Sequence, residues 1–297
     1  MFRKLRRFLA YITVAGLVRL AEILPRRVGT ALFAWLGAVA YGLMARSRGV
    51  ALANLELVYG STTPDTDKRR IARAAFINLG RFAYDTARMR KTTPQTIQRI
   101  TGITGKEHLD GALARGKGVV ALTGHVGNWE LMGAYFSLMG YPLTVFATDL
   151  KDSRLNDLLA DLRTSTGLKV VERSKGLPAA LRCLKRGEML GALIDQDTSV
   201  DSVVVDFLGS PAKTPVGPTK LASRMGAPVV PMAMLMTDDG DYRIEVKEPV
   251  TVGDNGSSLE DDVEKCSKAI EEFIHRKPSQ WVWMHKRWKS VLSDMYS

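Results

Sequence analysis

The chain has 297 residues, 45% hydrophobic and 25% charged, a composition that excludes whole-chain disorder and low-complexity architectures. Its two cysteines exclude a disulfide-dense scaffold and cannot fill a four-ligand zinc site by themselves, and only four histidines are available to complete one. The net charge is +11, and most of the excess lies in the first 50 residues, where nine Arg or Lys accompany one acid, Glu22. A basic end beside apolar runs indicates an anionic membrane surface rather than nucleic acid.

Two apolar runs, residues 8–18 and 28–45, open the chain, and basic residues flank both. The first is too short to span a bilayer, and the second is just long enough but is rich in Ala and Gly. A cleaved signal peptide, a spanning helix and helices lying on the membrane are three open interpretations. The basic flanks favour the third, so we predict a membrane-associated helical segment over residues 1–48 and an α/β domain over residues 49–297.

The pattern of the remaining chain alternates between helices and strands. Residues 46–90 carry apolar side chains at helical spacing, which predicts helices. Beyond residue 105 the predicted strands are 118–123, 143–147, 169–172, 189–194, 203–207, 228–236 and 242–247, and the predicted helices are 129–139, 153–166, 177–186, 216–225 and 259–275. Such alternation predicts an α/β fold with a largely parallel sheet flanked by helices.

The strand ending at Thr123 runs into Gly124-His125-Val126-Gly127-Asn128-Trp129-Glu130. On one continuous helix, residues five apart lie about 140° apart and do not meet. We therefore place His125 in a glycine turn, Asn128 as the cap of the next helix and Glu130 in its first turn. From there the Glu130 carboxylate can reach back to one imidazole nitrogen.

An imidazole held by a carboxylate is a general base. Its ordinary pKa of about 6.5 suits proton transfer near neutral pH. No serine or cysteine nucleophile adjoins His125, which indicates direct attack by a substrate hydroxyl. The alternative is a histidine that only packs or caps.

These residues resemble a known family. Residues 124–130 are similar to the His-x4-Asp/Glu motif of glycerolipid-type acyltransferases, and more closely to that of the lipid A biosynthesis lauroyl/myristoyl acyltransferases of Gram-negative bacteria. Further similar blocks lie in the family's order along the chain, one before this motif at residues 48–55 and four after it at residues 195–196, 207–214, 221–231 and 280–288. The resemblance covers most of the chain and implies a glycerolipid-acyltransferase-like fold, with a mixed or parallel sheet.

The resemblance also implies an activity, an O-acyl transfer at the cytoplasmic face of the bacterial inner membrane. The donor would be an acyl chain on acyl carrier protein, or on coenzyme A, and the acceptor a hydroxyl of a lipid A precursor. His125 would be the base and Glu130 the group that orients it, with no metal and no tightly bound cofactor. The expected partners are acyl carrier protein, the lipid A precursor or a related glycolipid, and the anionic membrane surface, but no nucleic acid.

Several residues are further candidates for substrate binding. Arginines near strand ends suit phosphate oxygens or a phosphopantetheine arm, and an acidic residue such as Asp195 can hold one in place. The full set is Asn128, Arg163, Arg173, Asp195, Gln196, Phe207, Gly209 and Thr214. For the last three, a packed loop is an equal alternative to a substrate groove.

The alternatives concern the acceptor and the class of protein. Leu208 and Asp206 depart from the family loop, which leaves the acyl chain and the acceptor open, including phospholipids and phosphatidylinositol mannosides. A non-catalytic basic protein that binds membrane surfaces is the second class of function. A metal-dependent hydrolase is disfavoured because the sequence has no His-x-x-x-His or clustered cysteines.

Overall fold

The computed structural model describes residues 2–147, 152–172, 176–254 and 256–296. Its helices are α1 Phe2–Ile23, α2 Arg26–Leu43, α3 Ala45–Tyr59, α4 Asp65–Ala87, α5 Pro94–Arg99, α6 Lys106–Leu113, α7 Trp129–Leu138, α8 Ser153–Thr164, α9 Gly176–Lys185, α10 Gly217–Met225 and α11 Leu259–Arg276. Its strands are β1 Thr101–Thr104, β2 Val119–Thr123, β3 Leu143–Ala147, β4 Lys169–Glu172, β5 Met189–Leu193, β6 Ser202–Phe207, β7 Ser210–Pro215, β8 Val229–Met236 and β9 Tyr242–Val246.

The main sheet has the strand order β1-β9-β8-β2-β5-β3-β4. Neighbouring strands run parallel except β8 and β9, which are antiparallel. Strand β2 lies at the centre and all five of its residues are buried, as expected for a parallel strand covered on both faces. The predicted α/β fold with a mixed, mostly parallel sheet is confirmed.

Helices cover both faces of this sheet and form two separate apolar layers. Alternate side chains of a strand point to opposite faces, and β2 sends Val120 and Leu122 into one core cluster and Val119 and Ala121 into the other. The first cluster holds residues from α9, α10 and α11, and the second holds residues from α7 and α8. We call these the α9 face and the α7 face.

The N-terminal helices pack against α4 through glycines. A Cβ atom at Gly37 would lie 2.3 Å from the carbonyl oxygen of Phe76, and one at Gly80 would lie 2.1 Å from that of Phe33. Only glycine allows α2 and α4 to approach this closely. The predicted boundary at residue 48 falls inside α3.

Large apolar side chains remain exposed on this N-terminal part. They include Leu5, Phe8, Leu9, Ile12, Ile23, Val28, Trp35, Leu43 and Met44. No single described helix is long and apolar enough to cross a membrane, although α2 and the helical stretch 45–62 pass that test together with an 88° bend between them. Membrane association stays a prediction.

Strands β6 and β7 form a hairpin that the sequence predicted only in part. Residues 207–214 resemble a loop of the family, but residues 210–215 form a strand that pairs antiparallel with residues 202–207. The turn residues Leu208 and Gly209 have φ angles of 54° and 81°, the left-handed values of a tight two-residue hairpin turn. The sequence pattern did not predict this strand because it contains Pro211 and Pro215, and proline is normally confined to edge strands. The short elements β1 and α5 were also not predicted.

Candidate active site

The register of the sheet brings His125 and Asp195 together. Strands β2 and β5 are parallel neighbours, and Thr123 is paired with Leu193. His125 and Asp195 each follow two residues beyond that pair, so both leave the sheet at its carboxyl edge, side by side. Functional groups of α/β proteins gather at this edge.

Asp195 holds the imidazole of His125. Its Oδ1 lies 2.8 Å from His125 Nδ1, and its Oδ2 accepts the backbone N–H of His125 at 2.6 Å. The indole N–H of Trp281 donates to the same Oδ2 at 2.8 Å. The carboxylate is fully buried, whereas the His125 side chain is 23% exposed.

These contacts keep Asp195 charged. Burial alone raises the pKa of this carboxyl, but the attraction of His125 and the hydrogen bonds from His125 and Trp281 outweigh it and lower the pKa to about 2. An ionised carboxylate only accepts hydrogen bonds. Nδ1 of His125 therefore carries the ring proton in the neutral imidazole, and Nε2 is left as the basic nitrogen.

Two glycines of the turn make this approach possible. A Cβ atom at Gly124 would lie 2.9 Å from Asp195 Oδ2. Gly127 has a φ of +63°, and a Cβ atom there would lie 2.0 Å from the carbonyl oxygen of Met234. A side chain at either position would push the turn away from the sheet.

The sequence-based role of Glu130 is wrong. Its carboxylate receives Arg163 Nε at 2.8 Å and Nη2 at 2.5 Å, and the indole of Trp129 at 3.3 Å; no hydrogen bond to His125 is present among the described residues. The first turn of α7 directs Glu130 toward α8, which carries Arg163. Burial opposes the charge of Arg163, but the hydrogen bonds and attraction of Glu130 raise its pKa above the ordinary value.

The two acidic residues have therefore exchanged the roles that the sequence predicted for them. Asp195 was expected to hold an arginine, and it holds His125 instead. Glu130 was expected to hold His125, and it holds an arginine. The available signal was the position of Asp195 directly after the strand that neighbours β2, which could be used only once the strand order was known.

A cavity of about 600 Å³ opens beside His125. Of the predicted site residues, His125, Glu130, Arg163 and Gln196 line it. Most of its other described lining residues are apolar, among them Trp129, Val145, Phe146, Leu159, Leu168, Leu177, Leu190 and Leu221. A mostly apolar cavity of this size suits a hydrocarbon chain better than a polar metabolite.

The remaining predicted site residues that the structure describes do not line the cavity. Asn128 caps α7 by accepting the N–H of Leu131 at 3.1 Å and is 1% exposed, so the predicted cap is confirmed but the predicted substrate contact is not. Gly209 lies in the hairpin turn, at a left-handed φ. Arg173 lies outside the described residues.

Phe207 and Thr214 are buried by the C-terminal block. Phe207 packs against Trp281 and Trp288, with ring centroids 5.7 and 6.1 Å apart. Thr214 accepts a hydrogen bond from Arg287 at 2.6 Å. Both were candidates to line a substrate groove, but their side chains are fully or nearly fully buried. Through the contacts just described they anchor the block that carries Trp281.

Arg287 is a buried cation in that block. Its guanidinium lies 4.5 Å from the ring centroid of Phe207 and donates to the backbone carbonyl of Lys213 as well as to Thr214. Burial lowers the pKa of Arg287 to about 10. The role of this block in holding Asp195, through Trp281, was missed because residues 86 positions apart gave no local signal.

No group of three or more His, Cys, Asp or Glu side chains within residues 2–147, 152–172, 176–254 and 256–296 could hold a metal ion. Both cysteines are free and buried, and burial raises the pKa of each thiol. Neither is a nucleophile in this site.

Comparison with known proteins identifies the family. The family model for bacterial lipid A biosynthesis acyltransferases matches residues 1–290. The chain belongs to this family. The resemblance inferred from the motifs is thereby confirmed, and the protein is an acyltransferase of the lipid A biosynthesis type in its family assignment.

Relatives of this acyltransferase act on two kinds of glycolipid. It is 25% identical over 277 residues to the lipid A biosynthesis lauroyltransferase of Escherichia coli K12, covering 93% of this chain and 90% of that one. It is 29% identical over 218 residues to a phosphatidylinositol mannoside acyltransferase of Mycobacterium tuberculosis, covering 72% and 67%. A solved 1-acyl-sn-glycerophosphate acyltransferase of Thermotoga maritima aligns with a TM-score of 0.39 and 15% identity, over 84% and 96% of the two chains.

Proposed function

We propose that this protein transfers a fatty acyl chain from the thioester of acyl carrier protein to a hydroxyl of a lipid A precursor, forming an acyloxyacyl ester. The observation that supports the proposal is His125, held by a buried and ionised Asp195 at the mouth of an apolar cavity. The apolar cavity would hold the acyl chain, and the imidazole would accept the proton of the attacking hydroxyl.

In this mechanism the acceptor hydroxyl approaches Nε2 of His125. Nε2 takes the proton while the oxygen attacks the thioester carbonyl carbon, and Asp195 stabilises the resulting imidazolium. As the tetrahedral intermediate collapses, the carbon–sulfur bond breaks and the imidazolium returns the proton to the leaving thiolate. The products are the ester and the free carrier thiol, and His125 is neutral again.

Trp129 and Trp281 support this chemistry from two sides. The edge of the Trp129 ring lies against the His125 imidazole, with centroids 4.9 Å apart. The indole N–H of Trp281 donates a hydrogen bond to Asp195 and holds its carboxylate in place. The imidazole is therefore held before the substrate arrives, which lowers the reorganisation needed in the transition state.

Arg163 is the polar group that we expect to meet the donor's phosphopantetheine arm or an acceptor phosphate. It lines the cavity beside His125, and Glu130 holds its guanidinium in a bidentate pair. In the proposal Glu130 is therefore a positioning residue for Arg163, and no bound cofactor is required.

The acceptor is the point on which the relatives differ. The 29% identity to a phosphatidylinositol mannoside acyltransferase supports a sugar hydroxyl of another glycolipid as the second candidate. The base, the carboxylate and the donor would be the same, since only the source of the attacking oxygen changes.

The proposed location is the cytoplasmic face of the inner membrane. Exposed apolar side chains and basic residues occur together in α1 and α2, a pattern that favours an anionic lipid surface. Acyl carrier proteins are acidic, so the same positive charge would speed their encounter with this protein. We expect the transfer rate to fall as salt is raised.

The test is acyl transfer in detergent micelles, read by mass spectrometry. Carrier protein bearing lauroyl, myristoyl or palmitoyl chains is offered with a tetra-acylated lipid A precursor, beside His125→Ala. We expect a mass gain of one acyl chain that the folded variant does not give. If the precursor gains nothing, phosphatidylinositol mannosides and phospholipids are offered next. Folded protein that acylates none of them, yet binds anionic vesicles, would instead indicate a non-catalytic membrane-binding protein.

A further inference from the structure

The cavity beside His125 is lined from both faces of the sheet. Four consecutive residues of β5, 190–193, contribute to its wall. Because alternate residues of a strand face opposite sides, no groove on one face accounts for all four. The cavity therefore runs over the carboxyl edge of the sheet and descends on both sides of it.

One arm of the cavity descends on the α7 face. Gly133 of α7 and Gly191 of β5 line it together with Val145 and Leu168, and the latter two belong to the core on that face. A Cβ atom at Gly191 would lie 2.9 Å from Val145 Cγ1, and one at Gly133 would lie 3.3 Å from Leu168 Cδ2. Both positions are tight, so a side chain at either glycine would press on the wall of this arm.

The other arm descends on the α9 face. Leu190 and Ala192 of β5 line it together with Phe146 and Ala180, and all four belong to the core of that face. Gly176, at the start of α9, also lines it, and a Cβ atom there would lie 3.5 Å from the Phe146 ring. Strands β3 and β5 separate this α9 arm from the α7 arm.

The α9 arm is deep enough for a fatty acyl chain. Leu190 lies five residues before Asp195, which is about 16 Å at roughly 3.3 Å per residue of strand. An extended hydrocarbon advances about 1.25 Å per carbon at tetrahedral geometry. The α9 arm thus accommodates a chain of about a dozen carbons, and the α7 arm, lined as far as Gly191, one of about ten.

We propose that the two arms hold two acyl chains at once, the donor's chain in one and the acceptor's own hydroxyacyl chain in the other. This inference rests on the proposed function. In an acyloxyacyl ester the two chains diverge from the ester bond that has just formed. A site that makes this bond therefore needs two apolar paths that meet at the base, and here both paths reach the strand ends that carry His125 and Asp195.

The first test uses the wild-type enzyme and varies both chains in a matrix. Donors from decanoyl to palmitoyl are combined with precursors whose hydroxyacyl chains carry ten, twelve or fourteen carbons, all in micelles. Separate arms predict that the best donor length stays the same for every acceptor, while the KM of the acceptor changes about tenfold or more with its own chain length.

Two results of this matrix would overturn the inference. A donor optimum that shortens as the acceptor chain lengthens would show that the chains compete for one space. An acceptor KM that ignores the length of the hydroxyacyl chain would show that this chain stays in the lipid phase. Absence of transfer from every combination would count against the proposed function itself, which keeps the two failures distinct.

The second test blocks each arm with the same side chain. Gly133→Leu fills the α7 arm and Ala180→Leu fills the α9 arm, and both substitutions lie inside helices, where leucine is a favourable residue. We expect one variant to shorten the preferred donor and the other to raise the acceptor KM about tenfold or more, with the preferred donor unchanged. If both variants change the same substrate, or if neither changes any, the assignment of one chain to each arm is wrong. Should a variant fail to fold, the wild-type matrix still decides.

Discussion

Replacement of Asp195 by asparagine tests the point at which the structure differs most from the prediction made from the sequence. The pKa of Asp195 is lowered to about 2, because the effect of burial is outweighed by the attraction of His125 and the hydrogen bonds from His125 and Trp281, so its surroundings favour the charged carboxylate. Asp195→Asn removes that charge while keeping the shape. We expect kcat/KM to fall by at least about tenfold, since a hydrogen bond to a charged group is worth about 1.5 to 3 kcal/mol, and toward the roughly 10⁴-fold loss that the wrong tautomer causes in serine protease triads.

The matched control is Glu130→Gln, which alters the other acidic residue. Glu130 pairs with Arg163 and not with the imidazole, so this variant should mainly raise KM and leave the shape of the pH–rate profile unchanged. Asp195→Asn should instead lower kcat, because a neutral amide no longer stabilises the imidazolium that forms as His125 takes the proton.

The assay for both variants is the initial rate of acyl transfer from the carrier thioester, measured across pH 5–9. The purified variants are first shown to be folded by circular dichroism. The reasoning is refuted if Asp195→Asn keeps activity within about fivefold of wild type while Glu130→Gln abolishes it. That result would return the orienting role to Glu130, as the spacing of the motif suggested.

Three further substitutions test the supports of the site. Trp281→Phe keeps the aromatic packing but removes the donor to Asp195, and we expect kcat to fall about tenfold for the loss of a hydrogen bond worth about 1.5 kcal/mol; an unchanged kcat would show that this bond is dispensable. Gly127→Ala forces a Cβ atom within 2.0 Å of a carbonyl of β8, so thermal unfolding should shift downward by several degrees, whereas Gly102→Ala, with open space around it, should not. Asn54→Ala removes two 2.7 Å hydrogen bonds to carbonyls of the C-terminal block, and urea unfolding should show a loss of about 2 to 3 kcal/mol; equal midpoints would contradict this anchoring role.

Much of the fold could be read from the sequence because its signals are local. The buried run of β2 and the periodicity of α4 each depend on residues within one element, and the glycine turn with its Asn128 cap depends on seven consecutive residues. Strand β7 of the hairpin was not predicted, because its two prolines are unfavourable in most strands and are tolerated only at such an edge.

The sequence by itself determined the class of the fold, the position of His125 after β2 and the family. The partner of the His125 imidazole was decided by the tertiary structure alone. His125 and Asp195 are 70 residues apart, and they meet because β5 lies beside β2 in a register that ends both strands at the same level. Glu130 is near His125 in sequence, yet the first turn of α7 directs it toward Arg163. Proximity along a chain does not determine the direction of a side chain, and only the order and register of the strands, with the helix that follows, placed each carboxylate.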